Sequence, residues 1–531
     1  MTSLSVAISR LRTIALIVGI VGVNSLVSAC GGSPREPGIP YIPEALGPYT
    51  WPISTGSEEA QAYFNQGMQL RYGYSMSEAA RSMAEARSID PNCAICFWGE
   101  AFALGSFLNQ PMTEENAPLA HEAITKAAAL KDRASAVEAA LIDAAVVRYP
   151  AKYDPDGRRS VDEAFASAMA EVYAQFPDHT EVTTVYSIAL FLLEDRRGYR
   201  DLTDPDLQKL HGLLKSVIAK DHAHPGACHL YIHATESTSQ PELGLPCAET
   251  LGSAVPGASH IQHMPSHAWN EVGLWRRSVD ANLRAWQADR AALNDAGFSY
   301  GPSHNLHMLV FASSFDGQST IAVQAGDDYE TETGNPLYAM LTRVRFGRYG
   351  EILEHDARPA EKRDAAFYDF ARGYAHLRRG DVARAKELRD SVLSYAENTS
   401  DRFRFHDAST LLGVLGNLLA GEILISEGDS AGALEAFQTA VSLEDSLGYD
   451  EPEPLPFAAR HWLGAALLES GAYTEAELAY RTELANHPHN GWSLFGLQQA
   501  LSAQDKIDPK VDLDLAASWA RSAVELKSSR F

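Results

Sequence analysis

Basic residues are scarce in this chain. Its 531 residues include 44 lysines and arginines against 69 aspartates and glutamates, so the formal net charge is −25. Nucleic acids and anionic lipid surfaces are recognised mainly through basic patches on the protein. The charge balance therefore argues against nucleic acid as a partner and indicates a strongly solvated, acidic surface.

Apolar runs of membrane-spanning length are lacking beyond the N-terminus, so we expect the body to be soluble. At the N-terminus itself, Arg10 and Arg12 precede the apolar run Ile14–Val23. This run is too short for a comfortable membrane span. Basic residues followed by a short apolar run are typical of a secretory signal peptide.

A cysteine follows this run in an informative setting. Small residues lead to Ala29-Cys30, two glycines come next, and the segment resembles a bacterial lipobox. The resemblance implies that residues 1–29 are a lipoprotein signal peptide and that Cys30 carries lipid. Without an aspartate after Cys30, it also implies an anchor in the outer membrane of the bacterial cell envelope, facing the periplasm. Residues 30–48 would be a flexible tether; an ordinary signal peptide with a chance cysteine is the alternative.

Cysteines are few. Apart from Cys30 there are four, which allow three disulfide pairings in an oxidising compartment. We favour Cys228 with Cys247, because they fall on two antiparallel helices of one predicted unit. Cys93 and Cys96 are a local bridge or a redox pair, and the absence of a surrounding βαβ pattern favours the structural bridge.

Small and aromatic residues recur at a fixed period along much of the body. The last repeat has Gly464, Gly471, Tyr473, Ala476 and Tyr480, with Pro488 closing it. Earlier repeats hold residues at matching offsets: Gly421, Gly428, Ala433, Phe437 and Ala440; Gly373, Gly380 and Ala385; Gly67, Ala79, Ala86 and Pro91. Over 57–91 and 365–490 the pattern resembles the tetratricopeptide repeat, a helix-turn-helix unit of about 34 residues.

Stacked amphipathic hairpins of this kind bury their apolar faces against one another. Helical periodicity also persists between the clear repeats, and strand-like alternation is almost absent. We therefore predict an all-α fold, an α-solenoid of tetratricopeptide-like hairpins. Its predicted parts are N-terminal repeats over 49–220, histidine-rich repeats over 221–330, and C-terminal repeats over 331–531 that end in a capping helix at Asp512–Lys527.

Histidines are concentrated in the middle part, where His222 to His307 holds nine of the eighteen. The first histidine pair is His229 and His233, with Glu236 following. The second pair, His263 and His267, lies 34 residues further on. Residues spaced i, i+4 and i+7 share one helix face, so His229, His233 and Glu236 are predicted to project together, as are His263, His267 and Asn270.

A third unit continues the pattern after a longer interval, with His304 and His307 three residues apart. The wider spacing predicts an inserted loop over 291–300. In each predicted unit the histidines lie one residue after a packing residue, about 100° round the helix. In the tetratricopeptide family that adjacent face lines the concave groove, so the imidazoles are expected to meet there.

Such a cluster favours a transition metal ion, zinc, copper or iron, over calcium or magnesium, which prefer oxygen ligands. The predicted ligands are His229, His233, His263 and His267, with His304 and His307 as further ligands or part of a second metal site. Glu236 is the candidate general base, or a further ligand. The candidates for supporting the ligands are His260, Tyr231 and Tyr300, whereas His222 and His224 lie at a helix start beside Pro225.

Motifs of common enzyme classes are missing, including G-x-S-x-G, H-E-x-x-H, the Walker loop and C-x-x-C-H. The first hypothesis is a metal-dependent hydrolytic or oxidative enzyme acting on a small molecule. The second is a non-catalytic scaffold that binds a peptide or protein in the envelope, and the third is metal capture without turnover. The acidic, proline-rich loop Glu451–Pro456 is read as an inter-helix linker, with a lid over the groove as the alternative.

Phrases at 90–101, 224–233, 263–267 and 490–497 also resemble a subset of secreted bacterial tetratricopeptide proteins. This second resemblance implies a shared architecture and supplies no reaction.

Overall fold

The chain folds as a succession of antiparallel helix hairpins. The structure, a computed structural model, describes residues 38–108, 110–194, 198–522 and 524–531. Cys30 and the leader lie outside the described residues. Helices that are neighbours in sequence pack against each other throughout, as the first helix does on the second and the eighteenth on the nineteenth.

The helices before the histidine-rich part are α1 Glu58–Tyr72, α2 Met76–Ile89, α3 Ala94–Leu104, α4 Asn116–Ala129, α5 Ala136–Val146, α6 Arg158–Gln175, α7 Thr180–Phe191 and α8 Pro205–Ile218. The histidine-rich part has α9 Pro225–Thr235, α10 Leu245–Ala254, α11 Ser259–His263, α12 Pro265–Glu271, α13 Trp275–Ala292 and α14 Pro302–Phe315. Short 3-10 turns occur at Pro43–Ala45, Lys131–Arg133 and Pro241–Gly244.

The later helices are α15 Ser319–Thr333, α16 Leu337–Arg345, α17 Tyr349–Glu354, α18 Lys362–Arg378, α19 Val382–Asn398, α20 Ala408–Glu427, α21 Ser430–Glu444, α22 Arg460–Glu469, α23 Tyr473–Asn486, α24 Gly491–Ser502 and α25 Pro509–Trp519. In the described residues the strands are two short ones, β1 Arg402–Phe403 and β2 His406–Asp407, paired antiparallel. The all-α prediction is thereby confirmed.

The glycine positions of the repeat pattern explain how the hairpins close. A Cβ at Gly67 would lie 2.7 Å from the Met83 side chain, and one at Gly464 would lie 2.5 Å from the Tyr480 ring. Both distances are too short for a real side chain, so glycine is required where the two helices of a hairpin touch. The inserted loop predicted over 291–300 falls between α13 and α14, while the predicted capping helix is shorter, as α25 ends at Trp519.

The described body, Ile39–Phe531, forms one compact unit in which late helices return to the middle of the chain. The Trp275 indole donates to the Pro488 carbonyl at 2.9 Å, and the Trp492 indole donates to the Ser314 carbonyl at 2.9 Å. Arg521 forms a salt bridge with the buried Asp316. The repeats therefore close on themselves, a contact for which the repeat pattern carries no signal.

The last described residues contact three helices of the C-terminal repeats, α18, α20 and α22. Arg530 pairs with Glu422 of α20 and with Glu469 of α22. The Ser529 hydroxyl donates to the His461 carbonyl at 2.6 Å, and Tyr374 of α18 donates to the Phe531 carbonyl at 2.7 Å. We call residues 524–531 the tail segment.

One described helix, α20 (Ala408–Glu427), is long and apolar enough to cross a membrane by length and composition. The sequence-based reading overlooked this stretch. In the structure 72% of its apolar window is buried, because α19 and α21 pack along it. Such burial is typical of a core helix.

Two disulfides connect helices or helix ends. Cys228 of α9 is bonded to Cys247 of α10, the pairing favoured from sequence. Cys93 and Cys96 are bonded to each other, with Cys93 at the N-terminal cap of α3. Both bridges are buried.

Candidate metal centre

The helices that carry the central histidines begin at well-defined points. His224 caps α9 by accepting from the Ala227 backbone at 3.1 Å, and its Nε2 lies 2.8 Å from Glu181. Pro225 follows as the first helical residue, a position where its missing N–H costs nothing. His224 is therefore a capping residue that sets the register of His229 and His233.

The second pair of histidines lies on two short helices instead of one. α11 ends at His263, and α12 restarts at Pro265, because proline cannot donate the backbone hydrogen bond that would continue a helix. His260 and His263 thus lie on α11 and His267 on α12. The break lets all three side chains face α9.

Five imidazoles form a closed ring of neighbours in the interior. The distances between ring centroids are 5.1 Å for His229–His233, 5.1 Å for His233–His267, 4.6 Å for His267–His263, 5.0 Å for His263–His260 and 4.8 Å for His260–His229. His304 adjoins this ring, 4.7 Å from His263. We call these six residues the histidine cluster.

Three members of the cluster are held by their Nδ1 atoms. His229 donates to the Tyr72 carbonyl at 2.6 Å, and His233 and His267 donate to the two oxygens of Glu236 at 2.7 and 2.5 Å. A proton on Nδ1 leaves a lone pair on Nε2. Anchoring of this kind is typical of metal-binding histidines, where the partner fixes both tautomer and ring orientation.

The Nε2 atoms converge toward one another. His229 and His260 bring these atoms to 3.0 Å, and so do His263 and His267. The opposite nitrogens of His260 and His263, their Nδ1 atoms, are buried and have no hydrogen-bond partner among the described residues. Buried nitrogens without partners are rare in folded proteins, so these two rings retain capacity to bind a further group.

The ligand atoms form compact groups. One group is His229, His233 and His260; a second is His263, His267 and His304; within each group all ligand atoms lie within 4.8 Å of one another. A third such group joins Glu236 and Glu451 to His233 and His267. We call the first two groups the histidine triads.

Burial favours the neutral form of four of the six imidazoles in the histidine cluster. Burial lowers the pKa of His229, His260 and His263 well below the usual 6.5, and neighbouring imidazoles lower it further. Burial and then Arg404 lower the pKa of His304 in the same way. Burial also disfavours charge on His267, but the adjacent Glu236 outweighs it and raises the pKa of that imidazole.

His307, grouped with the ligands from sequence, is placed apart from the cluster. Its Nδ1 accepts from Arg404 at 2.8 Å, and its Nε2 lies 2.7 Å from the Tyr338 hydroxyl and 3.1 Å from the Glu453 carbonyl. Three residues after His304 on α14, it points to a different neighbour, the turn that joins β1 to β2. Its lone pair is occupied by a guanidinium.

The remaining sequence candidates divide similarly. Tyr300 packs edge-on against His260 at 4.4 Å, whereas Tyr231 packs on His211. Asn270, expected beside His267, instead accepts from Ser278 at 2.6 Å. Glu236 lies between the triads, where both its oxygens hold imidazoles, so its contacts are those of an orienting carboxylate.

Sequence reasoning ranked two residues too low. It gave His260 a supporting role although its ring closes the cluster; the spacing of three residues to His263 was the available signal. Glu451, which is 7% exposed, was named only within the loop Glu451–Pro456 and not as a site residue. No spacing in the sequence connects it to His267, more than 180 positions earlier.

A cavity of about 530 Å³ adjoins the cluster at Glu236 and His267. The loop from Gly448 to Pro454, between α21 and α22, forms part of its wall. Its aromatic lining residues are Tyr199, Trp275, Phe311 and Tyr449, and its carboxylate lining residues are Glu236, Glu271, Glu444, Asp445, Asp450, Glu451, Glu453 and Glu483. Burial and nearby carboxylates raise the pKa of Glu271 to about 8.

Comparison with known proteins gives structural neighbours and no sequence relatives. No protein-family profile matches the chain, and no curated protein matches it. The structural neighbours include the TPR domain of P58(IPK), with 11% identity, coverage of 84% of this chain and 98% of that one, and a TM-score of 0.22.

The human IFIT1 dimer with m7Gppp-AAAA has 9% identity over 86% of this chain and 95% of that one, with a TM-score of 0.31. The Cut9 complex of the APC/C, Cut9-Hcn1, has 15% identity over 88% of this chain and 95% of that one, with a TM-score of 0.27. The helical-hairpin architecture expected from sequence is confirmed by the hairpins themselves.

Proposed function

We propose that this protein binds transition metal ions at the two histidine triads and uses them on a small molecule. The observation that carries the proposal is the closed ring of five buried imidazoles, three of them anchored at Nδ1, with Nε2 atoms that approach one another in pairs. Neutral imidazoles suit zinc, copper and iron. Three protein ligands per ion also leave a position open, as in catalytic sites.

Each neighbouring group has a role in this proposal. Tyr72 and Glu236 orient the ligands, and Tyr300 packs on His260. The adjacent cavity supplies room for a substrate next to His267. A bound metal would supply Lewis acidity or redox chemistry, activating water for hydrolysis or dioxygen for oxidation.

Element analysis tests the metal site. The protein is purified without added metal, and we expect zinc, copper or iron approaching two ions per chain. The His229→Ala/His263→Ala double variant removes one ligand from each triad and is expected to lose both. The matched control, His376→Ala/His489→Asn, changes two histidines outside the cluster and is expected to keep them. Metal-free wild-type protein that also fails to take up these ions would overturn the proposal, and turnover assays then separate catalysis from metal capture.

We also propose a lipid anchor at Cys30 in the bacterial cell envelope. Two disulfides support an oxidising compartment, since such bonds are rare in the cytosol. Mass spectrometry of the membrane-extracted protein is expected to find a diacylglyceryl group on Cys30, and Cys30→Ser is expected to release the protein into the soluble fraction. A membrane-bound Cys30→Ser variant without lipid would contradict the anchor.

A second candidate function is binding of an envelope peptide or protein. The tail segment favours it, because a stretch without helix or strand already lies against α20 and α22 through Ser529 and Arg530. A synthetic peptide of residues 524–531 should bind a chain truncated after residue 523, measured by fluorescence polarisation. A peptide with Arg530→Ala should bind more weakly, and equal binding would argue against a specific groove.

A further inference from the structure

We propose that the cavity beside His267 binds a small organic cation, a protonated amine, as the molecule on which the metal centre acts. The role of this cation as a substrate rests on the proposed metal centre. Its binding depends on the cavity alone.

Carboxylates outnumber lysines and arginines in the cavity wall. Arg460, the single lysine or arginine among the described lining residues, is already paired with Asp445 at 2.6 Å. His487 is shared between Glu483 at 2.6 Å and Glu453 at 3.3 Å. Asp450 is paired with Arg404 at 2.7 Å. Among the described residues, no lysine or arginine pairs with the carboxylates of the other lining residues, Glu236, Glu271, Glu444 and Glu451.

Glu451 points into this cavity. Its side chain is buried to the same degree as the core, with a residue exposure of 7%, and it lines the cavity. Its hydrogen bonds to described residues use only backbone atoms, from its N–H to Asp450 and to its carbonyl from Arg404. The nearest cationic atom to its carboxylate is His267 Nδ1 at 3.9 Å, beyond hydrogen-bond distance.

An ionised carboxylate in such surroundings is costly unless a cation accompanies it. The Glu271 side chain, also in the wall, makes no hydrogen bond or salt bridge with the described residues, and burial raises its pKa to about 8. A ligand that carries positive charge would pair with Glu451 and would favour the ionised form of Glu271. A neutral or anionic ligand would leave them as they are.

The aromatic part of the cavity wall favours an organic cation over a hydrated metal ion. The cavity holds about 530 Å³ and has Trp275, Phe311 and Tyr449 in its wall. Aromatic faces attract ammonium groups and pack against alkyl chains. Hard divalent ions gain nothing from such surfaces, so an alkylammonium is the ligand that uses the whole wall.

The test uses three probes of equal length on the full chain: 1,6-diaminohexane, 1,6-hexanediol and adipate. Isothermal titration calorimetry is expected to give saturable binding of the diamine, at least tenfold tighter than the diol, and no binding of adipate. Equal affinity for diamine and diol would overturn the inference. So would binding of calcium alone, which would indicate an oxygen-rich metal site.

Variants locate the binding. Glu451→Gln is expected to weaken diamine binding tenfold or more, and Glu271→Gln is a second variant with the same expected direction. Glu171→Gln, an exposed carboxylate on α6, is the matched control and should bind like the wild type. Unchanged affinity in both cavity variants would overturn the site.

The same samples separate this inference from the proposed function. Element analysis of the Glu451→Gln protein should still find metal, since Glu451 belongs to neither triad. Metal-loaded protein that ignores the diamine would refute the cation site and leave the metal site standing. Diamine binding by a chain that takes up no metal would refute the proposed function and leave the cation site standing.

Discussion

At the scale of single residues, Glu236 joins the two triads. Its oxygens accept from His233 and His267, one member of each triad, and it is 2% exposed. A single carboxylate therefore fixes the tautomers of two ligands on different helices. Its prediction as a general base came from its position one turn after His233; the two hydrogen bonds give it an orienting contact, and the base role stays a prediction.

Replacing Glu236 by glutamine tests this contact. The amide oxygen can accept from one imidazole only, and its NH₂ opposes the other, so the variant should bind metal about 10–100-fold more weakly. Competition with a chromogenic chelator measures the affinity. The control is Glu171→Gln, and equal affinity in Glu236→Gln and wild type would show that Glu236 does not orient the ligands.

His487 provides a residue-scale prediction on stability. Burial disfavours its charge, but Glu453 and Glu483 outweigh burial and raise its pKa well above 6.5. A raised pKa stabilises the fold fully below the unfolded value near 6.5, and the stabilisation is lost as pH rises through the folded value. Removing one partner of a buried pair costs about 3–5 kcal/mol.

We therefore expect His487→Gln to lower the free energy of unfolding most near pH 6 and progressively less at higher pH. Urea unfolding at several pH values measures the difference. His376→Gln, at a partly exposed site, controls for the loss of a histidine. A difference that grows with pH would contradict the assignment of charge.

At the scale of elements, the repeat pattern predicted the hairpins well because it reflects local contact. Gly464 and Tyr480 are sixteen residues apart, and the glycine is needed where their helices touch. The break between α11 and α12 was not predicted, although Pro265 is a residue that interrupts helices. The break matters because α11 and α12 together contribute three imidazoles to the cluster, those of His260, His263 and His267. That number depends on how the two short helices pack, and sequence spacing alone does not encode it.

Gly464→Ala tests hairpin closure. The new methyl group would meet the Tyr480 ring, and such overpacking typically costs about 1–3 kcal/mol. The matched control is Gly212→Ala in α8, where a Cβ would meet nothing within 4 Å. That change should stabilise by about 0.5–1 kcal/mol, because alanine is the better helix former. Thermal unfolding measures both, and equal signs would contradict the packing argument.

At the scale of the whole molecule, the contacts that close the repeats lie beyond sequence reasoning. Trp492 reaches the Ser314 carbonyl across 178 positions, and neither residue carries a repeat signal for the other. The histidine pairs were predictable because their helices are adjacent; His307 and Glu451 depended on how distant repeats return.

Closure has a measurable consequence in solution. A compact globule of the size of Ile39–Phe531 has a radius of gyration of about 23 Å. Small-angle X-ray scattering of the chain from Ile39 onward should give a value near this. Trp492→Ala removes the buried contact between α24 and Ser314 of α14 and should raise the radius of gyration. Tyr473→Ala, at a partly exposed site, should leave it unchanged. A wild-type value typical of an extended superhelix would refute closure.

The tail segment occupies the surface formed by α18, α20 and α22. A segment tethered to its own docking surface acts at an effective concentration in the millimolar range. If the segment itself binds with micromolar intrinsic affinity, an incoming chain that competes with it binds roughly a thousandfold more weakly than it would to the vacant surface. The affinity measured for a partner at this surface therefore depends on the release of the tail segment as much as on the contacts that the partner makes.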